Sequence, residues 1–328
     1  MKQKKKIYIG CVILLVLSFF LINVNLINAA EMFPTRPVEL IVPAPPGGGT
    51  DIMARILSEA IEPFLGQKMV VINKPGGSGT IGLSIIAQAK PDGYTLGCLW
   101  NSPLTMVPNM LKVSFTPDDY TYITTVAKGP MIFCVRSEFP AKTPQEFFEY
   151  ARKNPGKLTY AGDGVGNIVH FSGERVFHAM NVKLRLVPYG GAGESIKALL
   201  GGHVDVYGGT VPPALPHIKA GTVRPLFITT KERIEALPDV IGVEDLGHPQ
   251  VETYIWRGIL GPKGIPIDRI GIIDKAVRQA AQTEKVKDQL KKLGEMTWVI
   301  SGKQFEEQVR QEITAMATIA KQLGLSPK

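Results

Sequence analysis

Two hydrophobic periods alternate along most of the chain, one of strand type and one of helix type. "VELIV" (38–42) is an apolar run of strand length that stops at two prolines and three glycines. From 51 to 65 apolar residues recur at helical spacing, with Ile52, Ile56, Leu57, Ala60, Ile61 and Phe64 on one face and Gly66 as the stop. "MVVIN" (69–73) predicts the next strand, followed by a second glycine loop, "KPGGSGT" (74–80), and a helix over 81–89. "PDG" (91–93) then turns the chain into the strand "YTLGCLW".

The same alternation returns further on. "MIFCVR" (131–136) reads as a strand, and "TPQE" (143–146) as a helix start, with Thr143 as N-cap, Pro144 at the first position and Glu146 closing a capping box. "KLTYA" (157–161) leads through "GDGVGN" (162–167) into a helix over 168–180. "LRLVPY" (184–189) leads through "GGAGE" into a short helix ending at Leu200, and "HVDVYGG" (203–209) is another strand. A short helical segment, "PPALPHIKAG", and the strand "RPLFITT" (224–230) complete the pattern. The C-terminal third is mostly helical, with a charged run over 268–293 whose mixed signs predict a solvated face, and a last helix over 304–323. Strands alternating with helices predict an α/β fold with parallel sheets and crossovers, in enough units for two sheets.

The first thirty residues break this pattern and change the charge. Four lysines (Lys2, Lys4, Lys5, Lys6) precede an almost unbroken apolar run over 7–21, and the segment ends on Ala29 and Ala30. That layout predicts a signal peptide over 1–30, cleaved near Ala30; an uncleaved membrane anchor is the alternative. Without it the chain carries 33 basic and 29 acidic residues, so the formal charge of +8 falls to +4. No lysine–arginine cluster stands out, so nucleic acid is not an expected partner. The remaining cysteines, Cys98 and Cys134, lie inside apolar runs, as buried free thiols or as a pair formed after export.

Candidate chemistry concentrates in the turns between strand and helix. Ligands of open α/β sheets bind at the carboxyl ends of the strands, and four of these turns are glycine-rich: 47–50, 76–80, 162–167 and 190–193. Each ends at a helix start, where free N–H groups and the helix dipole favour an anion, and glycine lets a ligand reach the backbone. A P-loop would need Gly-Lys-Ser/Thr, and "GGGTD" has no lysine; "GDGVGN" is only a partial dinucleotide pattern. Ser78 in "GGSGT" is out of frame for a nucleophile elbow, and no nucleophile–base pair can be assembled, so no catalytic residue is expected. His170, Glu174 and His178 share a helix face; a packed or capped histidine face is preferred there to a metal site, and no metal or cofactor is expected. Asp51 and Arg55, one helical turn apart, suit a structural ion pair, although Asp51 also shares its turn with the glycine loop.

Several long segments resemble, in order, the substrate-binding receptors of tripartite tricarboxylate transporters, the TctC or Bug-type family. They include "RPVELIVPAPPGGGTDIMAR", "VVINKPGGSGTIG", "AKPDGYTL", "LTYAGDGVGNIVHFSGERVF", "VPYGGAGESIKALLGGHVDV", "PALPHIKAGTVRPLFITTKERIEALPDV" and "WRGILGPKGIP". The resemblance implies a two-domain periplasmic-binding-protein fold of type II, each domain a mixed, mostly parallel sheet flanked by helices. Domain 1 would take 31–125 and 228–328, domain 2 would take 126–227, and the ligand cleft would lie between them. It implies a monomeric periplasmic receptor, not an enzyme, that closes on a small carboxylate and passes it to membrane permease subunits; service to a sensory kinase is the alternative. The ligand-holding positions it implies are Ala44, Gly47, Gly48, Gly49, Thr50, Asp51, Ser78, Asn101, Ser102, Asp163, Gly164, Val165, Gly166, Asn167, Tyr189, Gly190 and Thr210. Main-chain donors would come from 47–51 and 165–167. Relatives commonly have serine or alanine where Asp163 stands, and that carboxylate either meets an amine or points to solvent. They often have aspartate in the turn that here reads "YGGT" (207–210).

Overall fold

A computed structural model describes residues 32–322 and Gly324. The signal peptide expected over 1–30 lies outside the described residues. Contacts divide the chain into units 1–35 and 36–328, and every element named below belongs to the second. None of the described helices is long and apolar enough to cross a membrane.

In chain order the elements begin with β1 (Val38–Val42), α1 (Gly49–Leu65), β2 (Met69–Asn73), α2 (Thr80–Ala87), β3 (Thr95–Trp100) and the short α3 (Ser102–Thr105). Next come β4 (Tyr120–Arg136), α4 (Pro144–Lys153), β5 (Thr159–Gly162), α5 (Ile168–Ala179), β6 (Arg185–Pro188), α6 (Ala192–Leu200) and β7 (Val206–Thr210). The chain ends with α7 (Val211–Lys219), β8 (Val223–Ile228), β9 (Tyr254–Pro262), α8 (Ile267–Ala281), α9 (Glu284–Lys292), β10 (Met296–Thr297) and α10 (Gly302–Gln322).

The strands run β2-β1-β3-β9-β4-β7-β5-β6, with β8 and β10 also on β4. The strands that lead into the glycine turns pair in parallel with their sequence neighbours: β1 with β2 and β3, β5 with β6 and β7. The centre is antiparallel and built on β4. Its residues 120–130 pair with β9, and 131–136 pair with β7 and β8. A separate core fills each part. One gathers Ile41, Leu83, Leu99, Tyr122, Trp256, Phe305 and Val309; the other gathers Ile132, Tyr207, Ile196, Leu199, Leu215 and Ile228. Phe305 and Val309 bring the last helix, α10, back to the core that β1 and β3 begin.

Three local expectations are corrected. Helix α1 starts two residues before 51 and buries Thr50, Met53, Ala54, Leu57, Ile61 and Leu65, together with Ile56. Phe64, expected on the inner face, is 38% exposed. The i, i+3, i+4, i+7 stripe therefore begins at Thr50, and burying each large aliphatic of it stabilises the fold by about 1.5–3 kcal/mol. Strand β4 is 17 residues long, starting well before the "MIFCVR" segment. Thr143 does cap α4 through the Glu146 N–H, but the Glu146 carboxylate accepts from Lys142 N–H, one residue short of a capping box.

Candidate functional site

A cavity of about 400 Å³ lies where the glycine turns converge. One side is formed by the loop ahead of α1 (Pro43, Ala44, Pro45, Gly48, Gly49, Thr50) and the loop ahead of α2 (Pro75 to Gly79). The other is formed by Asp163 and Gly164, by Tyr189 to Ala192 with Glu194, and by Thr210; Trp100 and Ile255 complete it.

Four helices begin on this cavity without a side-chain cap. Their N-caps are Gly48 for α1, Gly79 for α2, Gly191 for α6 and Thr210 for α7. The first N–H groups of a helix have no partner inside it, so the starts of α1 and α6 form an anion-binding arrangement. Glycine at their N-caps offers no side chain to fold back over those groups. At α2 the Thr80 and Ile81 N–H groups already bond to the Gly77 and Gly76 carbonyls, and at α7 Pro212 and Pro213 have no N–H to offer. At α7 the Thr210 hydroxyl is buried and has no hydrogen-bond partner.

Gly49 is required by close approach. A Cβ there would lie 2.5 Å from Arg257 Nη2 and 2.7 Å from Thr210 Oγ1. Arg257 is fully buried on β9, ion-paired with Glu295, and its Nε donates to Thr50 Oγ1 at 3.3 Å. A buried ion pair thus lies directly behind the start of α1. Across the cavity, Gly164 has φ +105°, and a Cβ there would sit 2.5 Å from Ser78 Oγ. Ser78 itself holds φ 53°, a left-handed conformation rare for residues other than glycine and often found where a backbone serves a site.

Of the expected positions, Ala44, Gly48, Gly49, Thr50, Ser78, Asp163, Gly164, Tyr189, Gly190 and Thr210 line the cavity. Gly47, Asp51, Asn101, Ser102, Val165, Gly166 and Asn167 do not, and each has a different task. The Asp51 carboxylate accepts from Gly47 N–H (2.9 Å), Arg55 Nε (3.1 Å) and Asn73 Nδ2 (2.9 Å), which locks the glycine loop to α1 and β2. Burial alone would raise its pKa, but these bonds together hold it below the usual carboxylate value. Asn101 Nδ2 donates to Glu312 Oε1 at 2.8 Å, tying β3 to α10. Ser102 Oγ accepts from Ile168 N–H at 2.7 Å, and Asn167 Oδ1 accepts from Val169 N–H at 3.0 Å. Gly166 N–H donates to His170 Nδ1 at 3.2 Å, and Val165 is 44% exposed. The start of α5, expected to offer main-chain donors from 165–167, is therefore already capped.

The histidine face is likewise divided. Burial pushes the His170 pKa down to about 4, so its ring is a neutral acceptor for Gly166, while Glu174 accepts from the Tyr160 hydroxyl at 3.0 Å. The described residues contain no metal-like cluster of three or more His, Cys, Asp or Glu. Cys98 and Cys134 are both buried and free, and burial lifts the Cys98 thiol to about 12.

Asp163 differs from Asp51. Its carboxylate lines the cavity and receives only a long bond, 3.4 Å, from Ser195 Oγ. Burial, with a smaller push from Glu194, raises its pKa to about 7. Trp100, Ala192, Glu194 and Ile255 also line the cavity and were not singled out from the sequence. A helix-start rule could have found Glu194, which accepts from Gly190 N–H four residues earlier; Trp100 and Ile255 carry no such local signal.

The fold and cavity define a solute-binding protein of the periplasmic-binding-protein class, and solved structures agree. "Structure of periplasmic binding protein BugD" aligns with TM-score 0.85 and 31% identity over 90% of this chain and all of that one. "R. palustris Rpa4515 with adipate" aligns with TM-score 0.84 and 27% identity, over 90% of this chain and all of that one. MatC from Rhodopseudomonas palustris, solved with bound malate, aligns with TM-score 0.80 and 27% identity, over 88% of this chain and 99% of that one. A UPF0065 protein from the gbd 5' region of Cupriavidus necator is 31% identical over 298 residues, 90% of each chain. The profile of the tripartite tricarboxylate transporter family receptor, TctC, matches residues 53–325, and the chain belongs to that family.

Proposed function

We propose that this chain is a periplasmic receptor that captures a small organic carboxylate in the cavity and delivers it to the membrane permease of a tripartite tricarboxylate-type transporter. The observation that carries this reading is the pair of helix starts, α1 and α6, that open on one cavity without a side-chain cap, beside the glycine loop ahead of α2. Such starts supply N–H donors and dipole ends sufficient for a carboxylate without an arginine clamp. Two similar structures bound to malate and to adipate support an acid as ligand.

Capture would proceed by closure of two lobes, 31–125 with 228–328 against 126–227. Two separate cores and the change of partners along β4 between Pro130 and Met131 support two lobes. Because Ile228, Ile234, Leu237 and Val240 pack into the core of 126–227, the second crossing is better placed after Val240. The leader over 1–30 supports export. Among the described residues the lining pairs no nucleophile with a base, which favours carriage over turnover. Isothermal calorimetry of the purified protein against mono-, di- and tricarboxylates and amino acids is the test. The expected result is one-to-one binding of at least one acid at about micromolar Kd or tighter. No binding across the panel would defeat the reading.

A further inference from the structure

The cavity is charged on one side only. Among the described residues its lining includes two ionisable acids, Asp163 and Glu194, and no lysine, arginine or histidine. Both acids stand on the side formed by β5, α5 and α6, while the uncapped start of α1 faces them. The carboxylates are thus confined to one side, where the open start of α6 adds N–H donors beside them.

The carboxylate side is incompletely used. Asp163 has one long bond from Ser195 Oγ, and no cationic side chain is among the groups that shift its titration. Its neighbours are Glu194, which takes the Gly190 N–H, and Tyr207, whose hydroxyl is committed to Thr210 carbonyl. The Asn167 side chain donates to the main-chain carbonyl of Asp163 and leaves the carboxylate alone. Beside them the Thr210 hydroxyl, in a residue only 4% exposed that also lines the cavity, has no partner. That oxygen is itself buried and lies by the equally unpartnered Arg257 Nη2, both within 2.7 Å of the Cβ position at Gly49, so it belongs to the floor beneath the α1 start.

We propose that the ligand is a zwitterionic acid, its carboxylate held at the start of α1 and its cationic nitrogen at Asp163, with Glu194 adding to the negative field. This rests on the reading of the cavity as a carboxylate site and narrows it. A dicarboxylate would bring its second negative charge against two acids with no base to offset it, whereas an ammonium group gains a charge-assisted bond.

Matched pairs test the inference: glutarate with 5-aminovalerate and adipate with 6-aminohexanoate, alongside α-amino acids and the monocarboxylate valerate, by calorimetry at pH 8. The wild type is expected to prefer the zwitterion of at least one pair, or an α-amino acid over a dicarboxylate of similar length, by about tenfold or more. Asp163→Asn should erase that preference. Affinity for the zwitterion should also rise from pH 6 to pH 8 in the wild type, as Asp163 ionises, and stay flat in the variant. Asp163→Ser serves if the asparagine variant fails to fold. Dicarboxylates preferred by wild type and variant alike would overturn the inference and leave the receptor reading standing. Binding of no acid at all would instead defeat the receptor reading.

Discussion

Asp51 and Asp163 each stand in a glycine turn between a strand and a helix, yet the fold uses them in opposite ways. Asp51 is turned inward and collects hydrogen bonds from Gly47, Arg55 and Asn73, so its charge holds the loop ahead of α1 in place. Asp163 faces the cavity with a single long bond from Ser195, and the turn around it is held instead by the neutral groups of Ser102, Asn167 and His170. A carboxylate becomes structural when donors surround it and stays available when they do not. The difference is written in the pKa directions, with Asp51 held low by its bonds and Asp163 raised to about 7 by burial.

The largest effect should come from beneath the first turn. Glu295→Ala leaves the Arg257 guanidinium buried without its partner behind Thr50, and urea denaturation should show a loss of about 3–5 kcal/mol. A loss under about 1 kcal/mol would mean that the start of α1 does not depend on this ion pair.

Next is the acid sensitivity of the second turn. The folded pKa of His170 is lowered to about 4 from an ordinary 6.5, so the unfolded chain binds the extra proton between these values. Stability from this group is complete above about pH 6.5 and lost as pH falls toward 4, on the order of 3 kcal/mol in all. His170→Gln should flatten that part of the stability–pH curve; an unchanged slope would remove His170 from the account.

Replacing the two aspartates separates the turns directly. Asp51→Ala should cost about 2 kcal/mol at pH 7, because Gly47, Arg55 and Asn73 lose a shared, buried, charged acceptor. Asp163→Asn should cost less than about 1 kcal/mol at the same pH, since its one donor, Ser195 Oγ, reaches it by a long bond that an amide oxygen can also accept. The sign of its pH effect is opposite to that of His170. With the folded pKa raised to about 7, the native state holds its proton longer than the unfolded chain, so this contribution is full below about pH 4 and fades as pH rises to 7. Thermal melts of the asparagine variant should lack that decline. Equal losses from the two substitutions would erase the contrast between the turns. The smallest effect belongs to Val165→Ser, on the exposed tip of the second turn, where stability should change by no more than about 0.5 kcal/mol.

Much of this was legible in order along the chain. Glycine after an apolar run marked the strand ends and helix starts that meet at the cavity, because close backbone approach and open N-caps both require the missing side chain. Two strands at the centre were not legible. The stretch 120–130 is rich in threonine, and β9 carries Arg257 and Gly258 in mid-strand, so neither shows a plain apolar or alternating pattern. Arg257 is tolerated there only because Glu295, 38 residues on, comes to meet it. The same holds for the capped turn at 165–167. Asn167 is a readable N-cap, but the Ser102 hydroxyl that completes the cap lies 66 residues away.

The sequence by itself determined the alternation of strands and helices, the glycine turns and the family, since each depends on residues within a few positions or on motifs kept in order. Only the tertiary structure decided which helix starts remain open, that Asp51 is committed and Asp163 is not, and that two acids share a cavity whose described lining holds no base. A charge or a donor is spent or free according to what the rest of the fold brings within 3 Å of it, and that is a property of distance in space.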